Sequence, residues 1–136
     1  MIKSLENLRD TYHASLLHEF LVTFGLDRAT QKGGVEMDKR HRHNLTYAHA
    51  SSDNDSAAKE AYGGHEINSD KLKLLDPSLL EFRQEYADDR NLAISTMFPN
   101  ASFQQLNNSL ATRQIQPKGV DAFDLVWTYF GYTDDD

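Results

Sequence analysis

An α+β domain is predicted, with helical segments first and an antiparallel sheet after them, and three observations predict it. Apolar residues recur at three- and four-residue steps near the N-terminus. The last third of the chain alternates with period two. The 136 residues are enough for one core and too few for two. A mean hydropathy of −0.65 with 39% hydrophobic residues, set against seven Phe, six Tyr and one Trp, implies a modest and partly polar core.

The elements follow in order. Leu5, Leu8, Tyr12, Leu16, Phe20 and Leu21 sit at helical spacing, which predicts an amphipathic helix from residue 6 to about 23, ending near Gly25. KGGVEMD and RHNLTYAHA alternate on either side of the charged Asp38-Lys39-Arg40, as two strands around a turn would. Residues 50–70 are dense in Ser, Asp, Asn and Gly and read as a mobile insertion with one helical turn at Ser56 to Tyr62. Asp76-Pro77 suits an N-cap followed by proline at the first helical position, and Leu79, Leu80 and Phe82 give that short helix an apolar face as far as Asp88. Three antiparallel strands are then predicted in NLAISTMFPN, SFQQLNNSLATRQIQP and AFDLVWTYFGYTD, with turns at Pro99-Asn100 and Pro117-Lys118-Gly119. In the last run Phe123, Leu125, Trp127 and Tyr129 share one face, while Asp124, Val126 and Thr128 share the other.

Composition excludes whole classes of function. With 14 Lys plus Arg against 21 Asp plus Glu, the net charge is −7 and no basic block tracks a phosphate backbone, so nucleic acid is not an expected partner. Zero cysteines remove thiolate zinc sites, cysteine nucleophiles and disulfides, and leave His, Asp and Glu to hold any metal. No run of 18 apolar residues occurs, and Glu6, Arg9 and Asp10 interrupt the place where a signal peptide needs its apolar core. A soluble, cytoplasmic protein with no membrane partner is the expectation.

Reactive groups are densest in ENLRDTYHASLLHEF, which holds Asn7, Asp10, Tyr12, His13, His18 and Glu19. Neutral imidazoles with a carboxylate are the usual ligands of a non-haem Fe(II) centre. The spacing His13-x4-His18 is less suited, since five residues advance a regular helix by about 500° and leave the side chains roughly 140° apart. The two could share an ion only if the helix is distorted or opens between them. Otherwise they are two unrelated histidines of one helix. His41 and His43 have the spacing that places two imidazoles on one strand face, where a structural role is expected. His49 and His65 flank the polar insertion and are expected to be solvated, as are Asp88 and Asp89. Ser15 and His18 are three apart, but no oxyanion-hole motif makes them a hydrolase pair.

ENLRDTYHASLLH resembles the mononuclear-iron motif, Glu-Asn-x-x-Asp-x-Tyr-His-x4-His, of the large (alpha) subunit of Rieske-type aromatic-ring-hydroxylating oxygenases, and all six specified positions match. TMFPN, RQIQPKG and FDLVWTYFGY look like the same domain's successive core strands, so the resemblance runs over essentially the whole chain. HASLLHEFLVTFGL and TRQIQPKGVDAFDLVWTYFG look nearest the anthranilate- and salicylate-type enzymes. The resemblance implies a partial helix-grip domain, in which a curved antiparallel sheet carries helices packed on one side, with a gap in the sheet and an exposed apolar face. It implies that His13 and His18 are ligands of a catalytic Fe(II), and that Asp10 is the carboxylate bridging toward a neighbouring subunit's Rieske cluster. It also implies that Asn7 shapes the site. By position, Ala14, Leu17, Leu92, Ile94, Gln104 and Leu106 are expected to border an aromatic substrate.

The departures from the family pattern are equally specific. The third, carboxylate ligand belongs to a helix after the last core strand, and the chain stops nine residues after Trp127; the Asp134-Asp135-Asp136 tail is expected to be solvated. A Rieske [2Fe–2S] cluster needs two Cys and two His, so it is expected in a missing N-terminal domain. Residues 1–136 therefore read as part of the catalytic domain, a fragment or partial reading frame that is inactive alone. The intact enzyme is expected to hydroxylate an aromatic carboxylate with O₂, drawing electrons from NAD(P)H through a separate reductase or ferredoxin, with other alpha subunits and a small beta subunit as partners. The competing expectation is a non-catalytic small-molecule-binding module of the same fold.

Overall fold

The computed structural model of the chain describes residues 8–50, 60–62 and 73–133. Two five-residue helices, α1 (His13–Leu17) and α2 (Glu19–Thr23), precede strands β1 (Gly33–Met37) and β2 (His43–His49). A 3₁₀ turn at Pro77–Leu80 follows, and then β3 (Arg90–Met97), β4 (Ala101–Leu106), β5 (Ser109–Pro117) and β6 (Phe123–Phe130). All six strands form one antiparallel sheet in the order β1-β2-β3-β4-β5-β6. This is an open α+β arrangement of the helix-grip kind. The expected gap is not present, since the described strands pair without interruption.

Antiparallel pairing puts opposed residues on the same face. Asn44, Thr96, Ser102, Arg113 and Trp127 form one row across β2–β6, and Thr46, Ile94, Gln104, Ala111 and Tyr129 form the next. This inner face carries the helical segment. Thr46 Oγ1 donates to the Leu8 carbonyl at 2.6 Å, and Arg9 Nε donates to Asn44 Oδ1 at 3.0 Å. Leu26, only 1% exposed, plugs the end of the helical segment, and its carbonyl accepts from Asn91 Nδ2. The core is small and mixed. Alongside Leu26, Val22, Leu92, Ala111 and Ile115 it buries Ser15, Asn44, Thr46, Thr96 and Ser102. Inner-face residues of β2 are buried while their neighbours are half-buried, which is the alternation of a sheet covered on one side.

Several elements differ from the sequence expectation. The single helix is two helices broken at His18, whose φ of −98° and ψ of 79° are not helical. Tyr12, Leu16 and Phe20 of the predicted stripe are 73%, 70% and 46% exposed, and Ser15, Val22 and Thr23 are buried instead, because the break re-aims the second turn. The predicted stop near Gly25 is present, with Gly25 at φ 73°. Asp76 accepts from the Ser78 amide as an N-cap, but the helix lasts only one 3₁₀ turn because Glu81 is already extended. The run SFQQLNNSLATRQIQP is two strands, turned at Asn107-Asn108 with Asn107 at φ 52°, a conformation that asparagine tolerates. Of the helical turn expected at Ser56 to Tyr62, residues 60–62 are described, with helix at Glu60 and Ala61, and the rest lies outside the described residues.

Candidate metal centre and cavity

The local geometry begins at Asp10. Its Oδ1 accepts the amides of Tyr12 at 2.8 Å and His13 at 3.2 Å, which fixes the chain as it enters α1. Its backbone carbonyl lies 2.8 Å from His13 Nδ1. A carbonyl only accepts, so Nδ1 carries the ring proton and Nε2 keeps its lone pair. That is the tautomer a metal-ligating imidazole needs.

His18 stands in the break between α1 and α2. Its amide still donates to Ala14 O at 3.0 Å and its carbonyl still accepts from Val22 at 3.2 Å, so helical hydrogen bonding runs on both sides while the direction changes at this one residue. A straight helix would hold the two side chains apart. Here the His13 and His18 rings approach to 5.3 Å between centroids, with planes at 77°. The opening that the spacing required is present.

Beneath the rings lies a cavity of about 310 Å³ between the helical segment and the inner sheet face. Asp10, His13, Ala14 and His18 wall one side, and Leu92, Ile94, Gln104 and Leu106 line the other. The pairs Leu92↔Leu106 and Ile94↔Gln104 are opposed across β3 and β4, which explains why those four face it together. Leu17 does not line the cavity and is 75% exposed, contrary to expectation, because the break at His18 leaves it on the outer side of α1. Asn7 lies outside the described residues, as do His65 and Asp134 to Asp136.

Two cavity residues escaped the sequence reading. Arg113 reaches in from β5, hydrogen-bonded to Gln104 Oε1, with its guanidinium carbon 4.1 Å from the Trp127 ring centre. Its Nε is buried without a hydrogen-bond partner, and burial lowers its pKa. Asp27, in the turn after α2, shares the cavity with both histidines. Burial raises its carboxyl pKa, and His13 and His18 pull it the other way. Among the described residues no three His, Asp or Glu side chains stand close enough together to hold an ion. The two imidazoles suit iron by donor type, and His13 by its tautomer as well, with the third donor not gathered beside them among the described residues.

A family model described as "Ring hydroxylating alpha subunit (catalytic domain)" matches residues 4–135. The chain belongs to that family. It is 45% identical over 96% of its length to the terephthalate 1,2-dioxygenase terminal oxygenase component subunit alpha 2 of Comamonas sp. It is 37% identical over 96% to the salicylate 5-hydroxylase large oxygenase component of Ralstonia sp, and 39% identical over 96% to the anthranilate 1,2-dioxygenase large subunit of Burkholderia cepacia. It spans 31%, 30% and 31% of those three relatives.

Elsewhere in this ring-hydroxylating alpha-subunit chain, the other described histidines, His41, His43 and His49, serve the sheet and its turns. His41 is not on a strand; it sits in the β1–β2 turn at φ 53° with Nδ1 3.4 Å from Met37 Sδ. It therefore shares no strand face with His43, whose Nδ1 accepts the Phe98 amide. His49 is not simply solvated, since its Nδ1 is 2.6 Å from Asp89 Oδ1, and Asp88 is ion-paired with Arg90 at 3.0 Å. Ser15 Oγ donates to the Tyr12 carbonyl, an intrahelical bond with no nucleophilic geometry. Among the described residues no helix is long and apolar enough to cross a membrane.

Proposed function

We propose that this chain supplies the two-histidine half of a non-haem iron centre in an oxygenase large subunit that hydroxylates an aromatic carboxylate. The observation that carries this is the convergence of His13 and His18, five residues apart, at the wall of a cavity that Arg113 also lines. Iron, when bound, supplies the O₂ chemistry of ring hydroxylation. The chain's own residues do the rest. Asp10 holds the His13 tautomer and the entry to α1, and its exposed carboxylate is the group we assign to bridging toward a neighbouring subunit's Rieske cluster. Leu92, Ile94 and Leu106 offer an apolar floor that takes a ring and excludes water. Arg113, oriented by Gln104 and Trp127, brings a guanidinium to the cavity wall that suits a carboxylate, and the names of the three relatives specify terephthalate, salicylate and anthranilate.

The third, carboxylate ligand and the cysteine-held Rieske cluster belong to protein outside these residues, as do the ferredoxin or reductase that pass electrons from NAD(P)H. Other alpha subunits and a small beta subunit complete the assembly, and the 136 residues alone turn over no substrate. The test is anaerobic Fe(II) titration of the native chain, His13→Ala and His18→Ala, followed by turnover of the enzyme completed with its remaining segments. Either alanine should abolish binding, and Arg113→Gln should lower kcat/KM for an aromatic carboxylate by about 30-fold or more while sparing an uncharged arene. Native binding that survives both alanine substitutions, or equal loss on both substrates, would refute the assignment.

A further inference from the structure

We infer that Gln104 is a positioning residue that aims the Arg113 guanidinium without neutralising it, so that the sheet alone forms a complete subsite for an aromatic carboxylate, ready before any metal is bound. The inference rests on the reading of Arg113 as the group that takes the substrate carboxylate. On the inner face Gln104 and Arg113 are diagonal neighbours across β4 and β5, since Ser102 opposes Arg113 and the small Ala111 opposes Gln104. Both border the cavity. Gln104 Oε1 accepts from Arg113 Nη2; among the described residues it is the only hydrogen-bond acceptor of the guanidinium, and no Asp or Glu is paired with it. The second hold is aromatic. Trp127 lies directly across β5 and β6 with its ring centre 4.1 Å from the guanidinium carbon, and it is stacked on Tyr129 at 5.5 Å with the planes 12° apart. Arg90 is held in the contrary way: it too lies over a ring, 4.4 Å from the centre of Tyr47, but Glu36 and Asp88 neutralise it. A partly buried cation is ordinarily matched by an anion of the protein. One held by an amide and an indole keeps its whole charge for an anion that arrives from outside.

The test separates aiming from packing by means of charge. The metal-free 136-residue chain, kept in EDTA, is titrated with terephthalate, followed by calorimetry and by the emission of Trp127, the chain's one tryptophan. The native chain should bind it, change that emission, and bind uncharged terephthalamide about 10-fold more weakly or worse. Gln104→Glu keeps the shape and sets an anion against Arg113, so the melting temperature should hold or rise while terephthalate affinity falls by about 10-fold or more. Gln104→Leu removes the acceptor without adding charge and should also weaken binding, by a smaller factor. A merely structural Gln104 would leave the affinity unchanged in every variant that stays folded. If either Gln104 variant binds as the native chain does while Arg113→Gln does not bind, the role of Gln104 is overturned and the reading of Arg113 stands. If Arg113→Gln binds as the native chain does, both fall. Terephthalate that binds only after Fe(II) is added, or not at all, overturns the metal-free subsite.

Discussion

Replacing Asp10 by alanine removes the acceptor of two amide hydrogen bonds, at 2.8 and 3.2 Å, that hold the chain entering α1. Both amides are exposed and can turn to water, so the loss is that of a helix-start acceptor, about 1 kcal/mol. In a domain of this size that lowers the melting temperature by roughly 4 °C. With a urea m-value of about 2 kcal/mol/M, it moves the midpoint by about 0.5 M. The local consequence is larger, because α1 has only five residues and His13 is its first. When the turn loosens, the Asp10 carbonyl no longer holds His13 Nδ1, and the ring samples both tautomers. Urea unfolding followed by far-ultraviolet circular dichroism gives the stability, and long-range ¹H–¹⁵N correlation spectra give the tautomer. Asp10→Asn separates charge from capping, since asparagine accepts the same bonds; it should be as stable as the native chain with a single His13 tautomer. The reasoning is refuted if Asp10→Ala matches the native stability and tautomer, or if Asp10→Asn is as damaged as Asp10→Ala.

Two further outcomes follow from the sheet. A Cβ on Gly33 would stand 2.5 Å from the Tyr47 carbonyl oxygen, so Gly33→Ala must push β1 from β2 and should cost about 1–3 kcal/mol in thermal unfolding, while Gly34→Ala, which meets the movable Tyr47 hydroxyl at 3.1 Å, should cost less. Asp38 accepts the amides of His43, Arg42 and Arg40, which holds its pKa at about 2 against the ordinary 3.8. A depressed folded pKa gives stability that is present above the unfolded value and is lost as pH falls. The melting-temperature difference between native and Asp38→Ala should therefore be constant above about pH 5 and close between about pH 4 and pH 2. A difference that persists at pH 2 would contradict this.

The order of elements and the inner-face parity of β3 and β4 were legible, because alternation alone places Leu92, Ile94, Gln104 and Leu106 on one side once the hairpin register is fixed. The two-residue turn at Asn107-Asn108 carried a turn signal, but the polar, alternating residues on both sides read as one strand without it. The break at His18 had no sequence marker. Leu16, Leu17, Phe20 and Leu21 continue the helical spacing through it, and no Gly or Pro interrupts them. Only the chemical demand that two histidines meet pointed to an opening there. Arg113 could have been found by carrying the same parity across one more hairpin, since Ser102 opposes it. Asp27 could not, because its approach to the histidines depends on the direction in which the broken helix ends.

The connections of the sheet bear on how the cavity comes into being. Four of the five are short, whereas β2 ends at His49 and β3 begins at Arg90. Closing that span costs about 2 kcal/mol more entropy than closing a four-residue turn. The β3–β6 meander and the β1–β2 hairpin are thus expected to form first and separately, and the β2–β3 seam to zip last. The cavity straddles that seam, drawing Thr46 and Ala48 from one unit and Leu92 and Leu106 from the other. Changes in the long connection should therefore alter how fast the cavity is assembled, and they reach its finished wall where Tyr62 accepts the amide of the cavity-lining Ala29 at 2.7 Å.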